Sequence, residues 1–305
     1  MQTMIGVIGG SGVYDIDGLE GASWVKVKTP WGKPSDEVLL GRLNGTAMAF
    51  LPRHGRGHVE TPSSVNYRAN LDALKRLGCT DIVAVSAVGS LREDFAPGDF
   101  VLVDQYIDRT FAREKSFFGP GCVAHVSLAH PTCARLSGIC AEAARNAGAK
   151  VHDGATYLAM EGPQFSTRAE SLMYRQWGAD VIGMTGMPEA KLAREAELCY
   201  ASVAMVTDYD CWHPDHDAVT VDAVIRVLLS NAQAARMELA QARYKNGVAN
   251  YLEVLDAERE FLRKTNVGGE AMQEADMQRV RDIGSGRKWR NVDAVETEFL
   301  TADEV

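Results

Sequence analysis

Runs of apolar residues alternate with amphipathic stretches along the first 210 or so residues of the 305-residue chain. The apolar runs predict β-strands at 4–10, 46–52, 81–90, 99–108, 157–162, 179–185 and 199–208. Apolar positions at helical spacing predict helices over 63–78, 131–148, 168–177 and 188–197. Several strands are apolar throughout, as in a sheet covered by helices on both faces, so the pattern predicts an α/β fold.

In open α/β sheets, ligands bind in the loops that follow the carboxyl ends of the strands. The polar or glycine-rich loops in those places are GGSG, RHGRGH, SAVGS, EGPQFS, GMTGM and TDYDCW. We therefore expect the functional residues to come from these six segments.

The TDYDCW segment places Asp208 and Asp210 two residues apart at the end of the strand 199–208. Side chains two apart on a strand share a face, so the pair offers adjacent hydrogen-bond acceptors at the edge of the core. In EGPQFS, Phe165 is either a core aromatic or a platform on which a flat ring could stack.

The RHGRGH loop concentrates Arg53, His54, Arg56 and His58. An arginine fork and a histidine donor suit the oxygens of a phosphate, whereas the alternative is a solvated basic loop. Metal binding by His54 and His58 would need a helix, which the intervening glycines disfavour. In GVIGGSG the dinucleotide-binding fingerprint fails, because Asp15 stands where a third glycine is needed. A tight turn or an anion site with the Ser11 hydroxyl remain equal readings of that segment.

Composition narrows the classes of function. A net charge of −9 and a pI near 5.3 argue against nucleic acid or an anionic membrane as a partner. The N-terminus lacks the features of a secretory signal, and no apolar run is long enough to span a membrane. Six cysteines without a CxxC pair predict reduced, mostly buried thiols of a cytoplasmic protein, with structural zinc disfavoured.

The pattern of charged and apolar residues changes after residue 236. The stretch ARMELAQARYKNGVANYLEVLDAEREFLRK predicts an amphipathic helix interrupted at Gly247, and the chain end should be frayed. Part of it resembles a repeat element of trimeric outer-membrane efflux channels. A convergent amphipathic helix, or a junction that replaces another C-terminus, is the favoured interpretation. We therefore divide the chain into a catalytic domain, 1–236, and an atypical helical segment, 237–305.

Seven segments together carry a family resemblance over about residues 4–236. They are GVIGGSGVYD, TPWGKPSDEVLLG, RHGRGHVETPSSVNYRANLDALKRLGC, AVGSLREDFAPGDFVLVDQYIDRT, EGPQFSTRAES, WGADVIGMT and CYASVAMVTDYDCW. In this order they resemble the S-methyl-5′-thioadenosine phosphorylase family, the trimeric branch of the purine nucleoside phosphorylases. The resemblance implies a three-layer phosphorylase fold with a mixed central β-sheet flanked by helices.

The family is a group of pentosyltransferases of purine and methionine salvage. They cleave methylthioadenosine with inorganic phosphate to adenine and 5-methylthioribose 1-phosphate, with phosphate as co-substrate and no cofactor or metal. For phosphate, the resemblance implies Ser11, Arg53, His54, Ser86, Ala87 and Thr185. For the nucleoside, it implies Phe165, Ser166, Met184, Asp208, Asp210, Val221, Val224, and His125 from a neighbouring subunit of a homotrimer.

The implied chemistry depends on positioning. Phosphate held beneath C1′ stabilises the oxocarbenium-like state and then bonds to it, while we expect Asp208 to deliver a proton towards N7 of the leaving purine. Carboxylates accept from a 6-amino group and mismatch a 6-oxo group, so adenine is favoured over hypoxanthine or guanine.

Some segments depart from the family pattern and leave alternatives open. GMTGMPEA is similar to relatives that act on 5′-methylthioinosine, although those lack the paired aspartates. Ser11 and Ser86 replace threonines but keep a hydroxyl. The altered tail leaves open other purine nucleosides, or a purine-binding protein with impaired catalysis. Hydrolysis, as in nucleosidases of related fold, would not need the phosphate residues.

Overall fold

The computed structural model describes residues 4–10 and 18–214, which form eleven β-strands and four α-helices. The strands are β1 Met4–Gly9, β2 Glu20–Val25, β3 Val38–Leu43, β4 Thr46–Pro52, β5 Cys79–Ser90, β6 Phe100–Val103, β7 Gln105–Asp108, β8 Val151–Asp153, β9 Thr156–Ala159, β10 Val181–Gly183 and β11 Cys199–Asp208. The helices are α1 Tyr67–Arg76, α2 Ala134–Asn146, α3 Arg168–Gln176 and α4 Gly186–Glu195.

The strands form one mixed sheet in the order β2-β3-β4-β1-β5-β10-β9-β7. A branch leaves β5, where β11 pairs with β5 and β6, and β6 pairs with β8. Strands β4, β1, β5 and β11 are mutually parallel along their pairings, whereas β10 runs antiparallel to β5. The predicted α/β class with a mixed central sheet is confirmed.

Helices cover both faces of the sheet, as strand β11 shows. Tyr200 and Ala204 share one face of this strand and belong to the main core, together with Leu71 of α1 and Leu192 of α4. Val203 points to the opposite face, where it packs with Ala141 of α2. The layers are therefore helix, sheet and helix.

Local sequence fixes where helices begin. The Asn66 side chain caps α1 by accepting a hydrogen bond from the backbone N–H of Ala69. Thr167 and Glu170 form a reciprocal capping box at the start of α3. These caps give the two helices that follow functional loops defined starting points.

The predicted strand 99–108 is wrong as a single element. It divides at Asp104 into β6, which pairs with β11 and β8, and β7, which pairs with β9. The backbone N–H groups of Asp104 and Gln105 both donate to the carbonyl oxygen of Ala155, at 3.1 and 3.2 Å. The chain thus passes from one branch of the sheet to the other, and a continuous polar–apolar pattern does not reveal that change.

Candidate active site

Arg53 follows β4 directly and is almost fully buried, with 2% of its surface exposed. Its backbone N–H donates to the carbonyl oxygen of Gly9 at 2.9 Å, which joins the ends of β4 and β1. Its guanidinium donates from Nε to Oε1 of Glu189 at 2.7 Å and from Nη2 to Oε2 at 3.0 Å. Nη1 also donates to the carbonyl oxygen of Val85 at 3.0 Å. The arginine is therefore fixed in one orientation beside β5.

His54 is the next residue and is partly buried. Its Nδ1 lies 2.9 Å from the carbonyl oxygen of Glu60, so Nδ1 carries the proton and donates. Its ring stacks on that of His58 with centroids 4.4 Å apart. Burial, reinforced by the charge of Arg53, lowers the pKa of His54 to about 4. The ring is thus neutral near pH 7, with its lone pair at Nε2.

A gap in the sheet lies beside the middle of β5. On one side of this strand, β1 pairs only as far as Ala84, and β10 begins to pair at Gly89. Of the strands that the structure describes, none pairs with residues 85–88 on that side. Two predicted phosphate residues, Ser86 and Ala87, lie in this gap, next to the carbonyl that Arg53 holds.

Thr185 approaches the same gap from β10. Val181 is opposite Ser90 and Ile182 is opposite Gly89, so each further step along β10 moves one residue back along β5. This register brings Thr185 towards the level of Ser86. The Thr185 side chain does not cap α4, although it stands at the N-cap position of that helix.

Asp208 and Asp210 meet at the other end of β5. Strand β11 ends at Asp208, and Asp210 has a φ of 50°, so the chain turns there instead of continuing the strand. The backbone N–H of Asp210 donates to Oδ1 of Asp208 at 2.8 Å, and the Thr207 hydroxyl donates to Oδ2 at 2.7 Å. The prediction that strand alternation places the two side chains together is wrong, since a turn brings them together.

Burial raises the pKa of both carboxyl groups. For Asp208 the hydrogen bonds from Thr207 and from the backbone of Asp210 oppose this rise, while the charge of Asp210 adds to it. For Asp210, 5% exposed, burial is again the largest cause, and the backbone N–H of Cys211 opposes it. Two interacting buried carboxyls with raised pKa values are suited to holding or transferring a proton.

Gly89 allows the aspartates to lie against β5. A Cβ at this position would stand 2.8 Å from Oδ1 of Asp208 and 3.3 Å from the Cβ of Asp210. The absence of a side chain at Gly89 is therefore what brings the carboxylates close to the strand.

The segment after β9 closes this side of the site. Phe165 is 44% exposed and free to present its ring face. The backbone oxygen of its neighbour Ser166 lies 3.2 Å from the Cys211 sulfur, which joins this segment to the aspartate turn. Gly162, with a φ of 67°, packs on Met184, where a Cβ would approach the sulfur to 2.5 Å. The segments after β9 and β10 are thus in direct contact.

Other predicted residues lie apart or outside the described ranges. His125 is exposed on the long connection between β7 and α2. Ser11, Val221 and Val224 lie outside the described residues, as does the predicted amphipathic helix after 236. Within 4–10 and 18–214 no group of His, Cys, Asp or Glu side chains is arranged to hold a metal ion.

Sequence reasoning missed Glu189, Arg113, Glu161 and Gly89. Glu189 is fully buried and also accepts a hydrogen bond from the hydroxyl of Tyr200 at 3.0 Å. The one available signal was its place in the run MPEA, where a carboxylate between apolar residues needs a partner if it is buried.

The prediction of reduced, mostly buried cysteines is wrong for Cys133 and Cys199, which form a disulfide. Among the free cysteines, Cys79 is buried, Cys140 and Cys211 are partly buried, and Cys122 is exposed. In the part of the chain with described structure, no helix has the length and apolar character needed to cross a membrane.

Comparisons with known proteins agree with this architecture. Residues 4–241 match the family model of the phosphorylase superfamily. An S-methyl-5′-thioadenosine phosphorylase of Cereibacter sphaeroides is 74% identical over 236 residues, which cover 77% of this chain and 81% of the relative. One from Rhodospirillum rubrum is 68% identical over 235 residues, 77% of this chain and 80% of the relative.

Solved structures give the same result. A methylthioadenosine phosphorylase from an Antarctic soil metagenomic library superposes with a TM-score of 0.73 at 48% identity, covering 90% of this chain and 91% of that one. The Schistosoma mansoni methylthioadenosine phosphorylase in complex with adenine has a TM-score of 0.73 at 40% identity, covering 86% of this chain and 98% of that one. The chain therefore belongs to the phosphorylase superfamily, in its branch of S-methyl-5′-thioadenosine phosphorylases.

Proposed function

We propose that this protein is a pentosyltransferase that cleaves S-methyl-5′-thioadenosine with phosphate to adenine and 5-methylthioribose 1-phosphate. The observation that carries the proposal is the arrangement of two half-sites along β5. Arg53 binds the carbonyl of Val85, and Asp208 lies against Gly89. Four residues of strand span about 13 Å, a length that phosphate, ribose and purine together can occupy.

The phosphate half-site would be built around the gap in the sheet. Arg53 supplies a fixed positive group, and Ser86, Ala87 and Thr185 supply hydroxyl and backbone groups around it. His54 is neutral with its lone pair at Nε2, so it can accept from a protonated phosphate oxygen, or bind a proton when phosphate arrives. Ser11 would contribute from the segment after β1.

The purine half-site would be built around the aspartate turn. Phe165 would pack on the ring, Ser166 would lie beside it, and Met184 would lie against the ribose. Breaking the C1′–N9 bond leaves negative charge on the purine, which a proton at N7 neutralises. The raised pKa of Asp208 favours this residue as the group that delivers that proton.

The base preference follows from hydrogen-bonding chemistry. An ionised carboxylate can only accept, so Asp210 suits the 6-amino group of adenine. A 6-oxo purine would place an acceptor against a buried acceptor, a mismatch that can cost about 10⁴–10⁵-fold in selectivity. The aspartate pair thus outweighs GMTGMPEA, the segment that favours 5′-methylthioinosine.

Assembly and domain organisation complete the proposal. We infer a homotrimer in which His125 of a neighbouring subunit lines the methylthio pocket, together with Val221 and Val224. The exposure of His125 in the single chain supports this. The catalytic domain would comprise residues 1–236, and 237–305 would be an added segment. Residence in the cytoplasm stays a prediction. The pairing of Cys133 with Cys199 removes two of the six cysteines on which that prediction rested.

A phosphate-dependence assay tests the proposed function. The purified full-length chain would be given methylthioadenosine, adenosine or methylthioinosine, with and without phosphate, and release of the base measured. We expect phosphate-dependent release that is fastest with methylthioadenosine. Undiminished release without phosphate would show a hydrolase, and preference for methylthioinosine would overturn the role of the aspartates. Absence of turnover with tight adenine binding would indicate a binding protein.

A further inference from the structure

Arg113 is the second deeply buried arginine of the described residues, with 8% of its surface exposed. Its Nη1 donates to the carbonyl oxygens of Met184 and, at 2.7 Å, Met187. Its Nη2 donates to the carbonyl oxygen of Glu161 at 2.6 Å and lies 3.3 Å from that of Met160. One guanidinium therefore binds the backbone of two segments that are separate in sequence.

Glu161 is the charged partner of this arginine. Its Oε1 lies 3.6 Å from Nε of Arg113. Oε2 accepts from the backbone N–H of Phe111 at 2.6 Å, and the Ser63 hydroxyl donates to Oε1. Glu161 thus holds the start of the connection between β7 and α2 and the segment before α1. The contact between the Arg113 and Glu161 side chains is an ion pair and not a hydrogen bond, because Nε of Arg113 has no hydrogen-bond partner among the described residues; the two side chains are 1% and 13% exposed.

The segments held in this way are those that carry the nucleoside residues. Met160 and Glu161 begin the segment that leads to Phe165 and Ser166. The carbonyl of Met184 belongs to the same peptide group as the N–H of Thr185, which lies 3.3 Å from the Tyr157 hydroxyl. That peptide is therefore held at both ends, and the Met184 side chain is held against Gly162.

The phosphate side has a different support. Arg53 is held by Glu189, Val85 and, at 3.4 Å, the carbonyl oxygen of Ile8. None of these groups takes part in a hydrogen bond with Arg113 or Glu161 among the described residues. Arg53 is thus held by a different glutamate from Arg113, and the direct link from Arg113 to the phosphate side is the peptide group of Met184 and Thr185.

We propose that Arg113, together with Glu161, is a positioning residue that sets the ribose and purine side of the pocket and reaches the phosphate side mainly through the Thr185 peptide. The inference rests on the proposed function, because it assigns the nucleoside to the segments after β9 and β10. Arg113 touches neither reactant. It acts by fixing the Met184 peptide and the segment that carries Phe165.

Matched lysine variants of the two buried arginines test the proposal. Arg113→Lys and Arg53→Lys each keep the charge but lose the planar fork that binds several acceptors. In Arg113→Lys we expect the KM for methylthioadenosine to rise about tenfold or more, with kcat lowered, since small misplacements of bound groups carry such costs. The KM for phosphate should change several-fold less. Arg53→Lys should show the reverse split.

Two further measurements separate positioning from general stability. Arg76→Ala removes an exposed arginine that pairs with Asp72 on the same helix, and should leave both KM values unchanged. In Arg113→Ala, guanidinium at non-denaturing concentration should restore part of the methylthioadenosine turnover, whereas ammonium should not.

The outcomes are distinguishable from those of the proposed function. If the wild-type chain lacks phosphate-dependent turnover of methylthioadenosine, the proposed function fails before any variant is compared. If the wild type is active, a parallel rise of both KM values in Arg113→Lys with a lowered melting temperature would overturn the positioning role. Unchanged kinetics in that variant, or equal rescue by ammonium, would overturn it too.

Discussion

Arg53 donates two parallel hydrogen bonds to Glu189, at 2.7 and 3.0 Å, in a pair whose side chains are 3% and 0% exposed. The guanidinium charge of Arg53, which we assign to phosphate binding, is therefore balanced by Glu189 before phosphate binds. Paired buried charges make little net contribution to stability, but removing one partner leaves the other uncompensated. The pair thus controls both the orientation of Arg53 and the charge that phosphate meets.

Glu189→Gln should destabilise the protein by about 3–5 kcal/mol in phosphate-free buffer, because Arg53 is left as a buried unpaired charge. Added phosphate should then raise the melting temperature of the variant more than that of the wild type, since the anion supplies the missing charge. Thermal melts with and without phosphate measure both effects. Glu93→Gln, at a position whose side chain is 67% exposed, is the control. An equal phosphate response in variant and wild type would contradict the charge argument.

Asp208→Asn should lower kcat by about 10²–10⁴-fold, the usual contribution of a general acid. A general acid must be protonated, so wild-type turnover should fall as pH rises through the raised pKa of Asp208. The variant should lack that limb of the pH profile. Steady-state assays across pH measure this, with Asp72→Asn, which removes an ion pair with Arg76 within α1, as the control. Equal turnover by wild type and Asp208→Asn would refute the role of Asp208.

The apolar pattern predicts much of the sheet. The bounds of β4 and β11 are predicted correctly, because each run is apolar along its length and ends at polar or turn residues. Strand β2 is missed because five of its six residues are exposed, so no burial pattern marks it. Strand β8 has three residues, too few to show a period.

The site is only partly predictable. The aspartate pair is evident from its spacing, yet the turn at Asp210 depends on the left-handed backbone there. Glu189 and Arg53 are separated by 136 positions, and Arg113 binds carbonyls 47 to 74 positions away. The spacing of apolar residues along the sequence gives no sign of such contacts, because they form only once the strands have assembled.

Gly89→Ala should impair the nucleoside side of the pocket. The added Cβ would stand 2.8 Å from Oδ1 of Asp208 and 3.1 Å from Ile182, so the carboxylate must move away from the strand. We expect a destabilisation of about 1–3 kcal/mol, as for overpacking in a core, and a higher KM for methylthioadenosine. Gly138→Ala in α2 meets nothing within 4 Å and should be neutral or stabilising. Similar kinetics in both variants would show that Gly89 does not position Asp208.

His54→Gln should flatten the dependence of stability on pH. The pKa of His54 is about 4 in the folded protein and 6.5 in its ordinary state. The unfolded chain therefore binds more protons between these values, so this contribution is complete above pH 6.5 and is lost as pH falls towards 4. Each pKa unit of this shift contributes at most about 1.4 kcal/mol to the free energy of unfolding. Denaturant unfolding in phosphate-free buffers measures the slope, and exposed His130→Gln is the control. Equal slopes for wild type and His54→Gln would contradict a neutral, buried ring.

Removal of the Cys133–Cys199 disulfide should lower stability while leaving catalysis intact. The bond joins positions 66 residues apart, and closing a loop of that length stabilises by about 4 kcal/mol in the chain-entropy account. Cys199 begins β11 and Asp208 ends it, so the bond lies a strand length away from the aspartate turn. Cys133→Ser with Cys199→Ser should therefore melt at a lower temperature yet retain wild-type kcat at 25 °C.

Cys122→Ser, at an exposed free cysteine, is the control. Reductant should lower the melting temperature of the wild type and of this control, but not of the double variant; a melting temperature unaffected by reductant in all three would show that the bond does not stabilise the fold.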